Sequence, residues 1–192
     1  MVAEKNISES RLVNGATRLQ PIAMLVGQAS GAAAALAALQ GIQPRSLAPG
    51  AVQRVLVDAG SRLTNLDYPD VPKMVRFWTD IQLVSVHGLM SAAQGSAFLP
   101  YAALTPQAFQ QILDGLSPGL RLPEMSAVSR EDFQKYLRKA TGIDPEVDLA
   151  KKASVSRTEA AGVLARMLVR QDLGHAMQFW PAAAPSSKPK HD

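Results

Sequence analysis

The chain contains no cysteine. That excludes disulfides, thiolate metal sites and thiol redox chemistry, while leaving the compartment open. Aromatic residues make up only 5% of the 192 positions, and the net charge of +4 is spread along the chain without a run of Lys or Arg. The footprint of a nucleic-acid binder, a basic stripe interleaved with aromatics, is therefore missing, and the excess reads as general surface charge. No Gly-x-Gly-x-x-Gly occurs, so a dinucleotide-binding turn is lacking as well. His87, His175 and His191 have no metal-ligand spacing. Met1 to Ser10 is polar and carries Glu4, Lys5 and Glu9, which is not the pattern of a signal peptide.

Charge is also absent from Leu19 to Pro44, a segment that includes Gly27 and Gly31 at GxxxG spacing. Two readings follow. One is a membrane span. The other, favoured here, is a helix buried on most sides within a larger protein. Gln20, Gln28, Ser30, Gln40 and Gln43 interrupt the segment, and its many alanines drive insertion weakly.

What remains is ordinary globular material, 47% hydrophobic and 19% charged. Val2 and Ala3 read as the end of a strand, followed by a loop through Asn6, Ser8, Ser10, Asn14 and Gly15. Pro21 sits where a helix starts, and Gly41 and Pro44 end that helix near Gln40. A second helix is expected over Pro49 to Ala59, with Val52, Val55, Leu56 and Ala59 on one face. A turn-rich stretch from Asn65 to Pro72 marks a boundary, and a third helix is expected over Val71 to Leu89. Three later segments align: Leu104-Thr105, Val128-Ser129 and Val155-Ser156 each place an apolar residue before a hydroxyl and then a helical pattern. The hydroxyl caps free N–H groups and the apolar residue staples onto the first turn. A true duplication and three independently capped helices both remain open. The tail after Trp180 is too poor in apolar residues to order itself.

The most informative stretch runs from Asn14 to Leu36: a polar Gly-containing loop feeding a helix rich in Ala and Gly. Each helical Gly costs about 1 kcal/mol against Ala, so two of them imply a close neighbour such as a sheet, a helix or a planar cofactor. The start of the helix offers unpaired N–H groups and partial positive charge, suited to an anion or an electron-rich carbonyl.

Val2-Ala3-Glu4-Lys5-Asn6-Ile7-Ser8, Arg18-Leu19-Gln20-Pro21 and Gly27-Gln28-Ala29-Ser30-Gly31 together resemble the C-terminal end of the FAD-dependent oxidoreductase family of bacteria. The resemblance covers about residues 1 to 60 and rests on the spacing of the three pieces. It implies FAD as cofactor in the full-length context and hydride transfer at the flavin. The N–H groups of Leu19 and Gln20, ahead of Pro21, would face the flavin pyrimidine edge. Asn6 would lie near the ribityl or pyrophosphate part, and Arg18 near the flavin or substrate. Gly27 and Gln28 belong to the helix that lies against the ring. Glu4-Lys5 departs from the family's Gly-Arg. Because the family's dinucleotide-binding half is missing, the chain is expected to be a fragment or half of a split enzyme, completed by that half or a partner chain, with weak or no FAD binding of its own and no catalytic residue. The expected fold class is mainly α: the truncated end of an FAD-binding α/β domain over 1–62, with one edge strand and the long helix, then a small helical bundle over 66–180 and a tail over 181–192.

The later region resembles an S-layer-homology-like module through Asp70-Val71-Pro72, the helix at Trp78, Gly88-Leu89, Phe98-Leu99-Pro100 and Ser156-Arg157-Thr158-Glu159. That implies docking to cell-wall polysaccharide; a plain structural or interaction appendage is the other reading. His87 reads as a satisfied core or surface histidine, Trp78 and Trp180 as packing residues. Asp144-x-Glu146-x-Asp148 lacks the glycine and later glutamate of a calcium loop.

Overall fold

A computed structural model describes residues 8–145 and 154–170. The fold is mainly α, as expected. Seven helices are described: α1 (Arg11–Thr17), α2 (Gln20–Gln40), α3 (Pro49–Asp58), α4 (Trp78–Val86), α5 (Pro106–Leu116), α6 (Arg130–Thr141) and α7 (Arg157–Val169). A 3₁₀ turn over Pro44–Ser46 links α2 to α3. Among the described residues there is no strand, only three isolated bridges. The edge strand expected at Val2 and Ala3 lies outside the described residues, as do Trp180 and the tail.

α4 is the central helix. Trp78, Ile81, Gln82, Leu83, Val84 and Ser85 are all buried, because α3 packs on one side and α7 on another. α7 is nearly as enclosed, from Ala160 through Ala165. α5 and α6 pack on each other and close the core through Phe109, Ile112, Leu113, Phe133 and Leu137.

The three aligned segments behave as their pattern implies. Thr105 accepts from Ala108 N–H, Ser129 from Asp132 N–H, and Ser156 from Glu159 N–H, the last in a full capping box. Leu104, Val128 and Val155 are buried, as are Phe109, Phe133 and Ala160 four positions after each cap. Two of the bridges join these lead-ins, Ala103 to Ser156 and Ser129 to Ser154, and Leu104 N–H donates to the Val155 carbonyl at 2.8 Å. One junction thus seeds three helices.

Three expectations need correction. The stretch before Arg18 is not all loop: Ser10 caps a helix by accepting from Val13 N–H, and α1 runs through Asn14 and Gly15. The capping hydroxyl outweighed two turn-favouring residues. The helix expected over Val71 to Leu89 begins only at Trp78, since Tyr68 to Val75 folds into successive turns and Lys73 Nζ donates to the Gly60 carbonyl at 2.7 Å. On α3 the buried positions are Gly50 and Val57, while Val55 stays exposed. Packing of α3 against α2, α4 and α7 sets an inner face different from the one expected at Val52, Val55, Leu56 and Ala59.

α3 also joins α2 to the bundle by a contact that only glycine permits. A Cβ on Gly50 would lie 2.2 Å from the Leu168 carbonyl oxygen and 2.7 Å from its carbon. Arg54 Nη1 reaches Asp80 Oδ1 at 3.0 Å, and His87 Nε2–H donates to Gln53 Oε1 at 2.7 Å.

Candidate functional site

The residues singled out from the sequence gather at the bend between α1 and α2. Arg18 is the C-cap of α1, its N–H donating to the Asn14 carbonyl at 3.1 Å. Leu19 is the N-cap of α2 in an extended conformation, with no side-chain hydrogen bond, and Pro21 stands in the first turn, one position later than expected. Proline is tolerated there because a first-turn N–H has no intrahelical acceptor. Arg18, Leu19, Gln20 and Pro21 are all exposed. The N–H groups of Leu19 and Gln20 find no acceptor among the described residues. Pro21 has no cover among the described residues either.

Along α2, Gln20, Met24, Gln28, Gly31 and Ala35 are exposed at helical spacing, whereas Gly27 is half-buried and only Ala23 and Ala37 are buried. A Cβ on Gly31 would meet nothing within 4 Å. The close neighbour expected of this helix is therefore not supplied at Gly31 by the described residues, although α2 does pack on α3. Met24 is 72% exposed, Leu12 89% and Leu39 84%, so α1 and α2 present an apolar surface with no cover among the described residues. α2 is long and apolar enough to cross a membrane, with a mean hydropathy of 1.7 over its most apolar window. Gly41 ends it in the left-handed conformation at φ 65°, as its position predicts. Asn6 lies outside the described residues.

A second assembly, missed in its function by sequence reasoning, ties the bundle together. The Asp70 carboxylate accepts from Phe98 N–H at 2.9 Å and Leu99 N–H at 2.6 Å. Arg157, only 5% exposed, donates from Nε to the Phe98 carbonyl at 2.7 Å and from Nη2 to the Ser91 carbonyl at 2.5 Å. Its guanidinium stacks 4.5 Å from the Phe98 ring centroid. Burial lowers the pKa of Arg157, with Tyr68 and Asp70 opposing the shift. Asp70, Phe98 and Arg157 all belong to the S-layer-like pattern, and here each is engaged in holding the chain's own loops. A cleft of about 470 Å³ lies beside Arg157, walled by Ser91, Gln94, Thr105, Gln107 and Gln111 among others.

A third region is a more open cleft of about 640 Å³ between α3, α4 and α7, lined by Arg54, Arg76, Phe77, Asp80, Thr158, Glu159, Gly162 and Arg166. Burial raises the pKa of Asp80 although Arg54 and Arg166 pull it down. Burial opposes the charge on Arg54, but Asp58 and Asp80 outweigh it and hold its pKa above the usual value. His87, at the foot of α4, has its pKa lowered by burial. Among the described residues no group of three His, Asp or Glu is placed to hold a metal ion. Asp144 pairs with Arg138 instead, and Glu146 and Asp148 lie outside the described residues.

Residues 1–56 match the FAD dependent oxidoreductase family. The match takes in α1, α2 and most of α3, including every residue assigned above to flavin contact. It links the N-terminal region to flavin-dependent oxidoreductases and, in the family context, to FAD. No curated protein and no solved structure matches the chain.

Proposed function

We propose that residues 1–56 are the flavin-capping end of an FAD-dependent oxidoreductase, and that the dinucleotide-binding half is supplied outside this sequence. The observation that carries the reading is the open start of α2. Two N–H groups without acceptors among the described residues precede an exposed proline, in a segment that matches the family. A reduced flavin carries negative charge at N1 and O2, and unpaired N–H groups at a helix start stabilise such charge. The face at Gln28 and Gly31 is exposed, and a Cβ on Gly31 would meet nothing within 4 Å among the described residues, which leaves room for a ring or a sheet.

In this reading the chain positions the flavin and offers no acid or base. FAD, when bound, supplies the hydride chemistry. Leu19 and Gln20 hold the pyrimidine edge through their main-chain N–H groups, Arg18 places positive charge beside the ring, and Gly27 and Gln28 line its approach. Asn6 is assigned to the ribityl or pyrophosphate side. The isolated chain lacks a Gly-x-Gly-x-x-Gly turn to anchor the pyrophosphate. It should therefore purify colourless and bind FAD no tighter than about micromolar. Flavin absorbance of the purified protein tests this: stoichiometric bound flavin would overturn the claim that another half is needed.

The bundle after residue 66 is proposed to be a structural appendage rather than a wall-binding module. The residues of the S-layer-like pattern are engaged within the fold, Arg157 being buried under Phe98.

A further inference from the structure

The cleft between α3, α4 and α7 is independent of the flavin assignment and has a chemistry of its own. Arginines reach it from α3 (Arg54), from the turn before α4 (Arg76) and from α7 (Arg166). Two carboxylates share the lining. Asp80 is paired to Arg54 at 3.0 Å. Glu159 Oε2 accepts from Ser156 N–H and Oγ–H, both at 2.7 Å, as part of the helix cap. Arg54 is further held by Asp58 at 2.9 Å. The guanidinium groups of Arg76 and Arg166 are in no hydrogen bond among the described residues and both residues are exposed, so their donors are available.

Gly162 lines the cleft between Arg166 and Asp80. A Cβ there would come 3.6 Å from Arg166 Nη1 and 3.6 Å from Asp80 Oδ2. Phe77, half-buried and edge-on to Tyr101 at 5.7 Å between centroids, forms an apolar wall. Two planar, permanently charged forks on one opening, Arg76 and Arg166, match an anion with several oxygens rather than a lone carboxylate, while Arg54 behind them is held by Asp58 and Asp80. The volume suits a small organic molecule, not a bare ion.

We propose that this cleft binds a soluble phosphate ester, its phosphate held by Arg76 and Arg166 with Arg54 behind them and its organic part against Phe77. Because Arg54 lies on α3 and Arg166 on α7, an occupied cleft would clamp the flavin-family segment to the bundle.

The test is calorimetric titration of the whole chain with pyrophosphate and with glycerol phosphate at about 150 mM salt, where weak surface pairing is screened. Saturable binding is expected below about 10 mM. Arg76→Ala and Arg166→Ala remove exposed side chains, so the fold should persist, as circular dichroism would verify. Each should weaken binding about tenfold, the share of one charge-assisted contact. Lysine at either position should recover only part of the loss, because the planar fork is gone. Vesicles containing phosphatidic acid separate a free ester from a lipid headgroup. Binding to vesicles with none to glycerol phosphate would overturn the proposal. So would affinity unchanged in the double alanine variant, or no heat with either soluble ligand. Substitutions at Arg18 or Pro21 should leave this binding intact, so failure here and failure of the flavin reading are distinguishable.

Discussion

Replacing Gly50 with alanine should separate α3 from α7. The added Cβ would fall 2.2 Å from the Leu168 carbonyl oxygen, 2.7 Å from the carbonyl carbon and 3.3 Å from its Cβ. The first two are main-chain atoms inside a helix, so no side-chain rotation relieves the clash, and α3 must shift bodily. Overpacking of this kind costs about 1–3 kcal/mol. Alanine returns less than about 1 kcal/mol of helix propensity at this first-turn position. A net loss of about 1–2 kcal/mol should lower Tm by about 2–8 °C for a chain of this size. The same substitution at Gly31 is the control, because a Cβ there meets nothing within 4 Å. Gly31→Ala should stabilise by about 0.5–1 kcal/mol. Thermal melts followed at 222 nm measure both. A second readout is the His87 titration. His87 is bonded to Gln53 on α3 and its pKa is lowered by burial, so a displaced α3 should let it rise toward 6.5. Equal effects of the two substitutions, or a Gly50→Ala variant as stable as the parent, would refute the reasoning.

Other consequences are as direct. Ser156→Ala removes the hydroxyl of the capping box and should cost about 1 kcal/mol in denaturant unfolding. Asp70→Ala leaves the Phe98 and Leu99 N–H groups without their acceptor and should cost about 2–4 kcal/mol, more than Ser156→Ala in the same assay. For His87 the folded state disfavours the proton, so its stabilising effect is complete above the ordinary value of 6.5 and is lost as pH falls below it. Asp80 runs the other way: its raised pKa makes protonation favour the fold, near and above 3.8. Between about pH 7 and 5 the parent should therefore lose stability relative to His87→Gln, and parallel pH profiles for the two proteins would contradict this.

The legible parts of the fold were those written in local chemistry. Gly41 with Pro44, Pro49, and the hydroxyls of Thr105, Ser129 and Ser156 each act within one helical turn, so their pattern located helix ends closely. Helix α1 was hidden because Asn14 and Gly15 carry a turn signal that a single cap at Ser10 overrode. The start of α4 was misplaced because apolar periodicity at Val75 continued through a segment whose turns are set by Pro72 and by Lys73 reaching back to Gly60. The Gly50–Leu168 contact and the Arg157–Phe98–Asp70 interlock join distant segments, and pairings of that kind leave no local periodicity. For the same reason the arginine cleft was invisible: its members are ordinary surface residues until α3 docks on α4 and α7. The residues proposed to face the flavin were legible as a spaced motif at Arg18, Pro21 and Gly27-Gln28, and the structure adds that the N–H groups of Leu19 and Gln20 between them have no acceptor among the described residues.

The apolar α2, largely exposed among the described residues, also fits a bilayer by length and composition, and fractionation from cells separates the two occupants. Recovery of the chain in the membrane pellet, released only by detergent, would replace the flavin assignment with a membrane one.

The most direct test of the flavin assignment is amide shift mapping with millimolar FAD, on the chain carrying Arg76→Ala and Arg166→Ala so that the arginine cleft does not compete. Fast-exchange shifts centred on Leu19, Gln20 and Gln28, with the amides of α5 and α6 unmoved, are the predicted result. Shifts centred elsewhere, on α5 and α6 or on the bundle core, would contradict it.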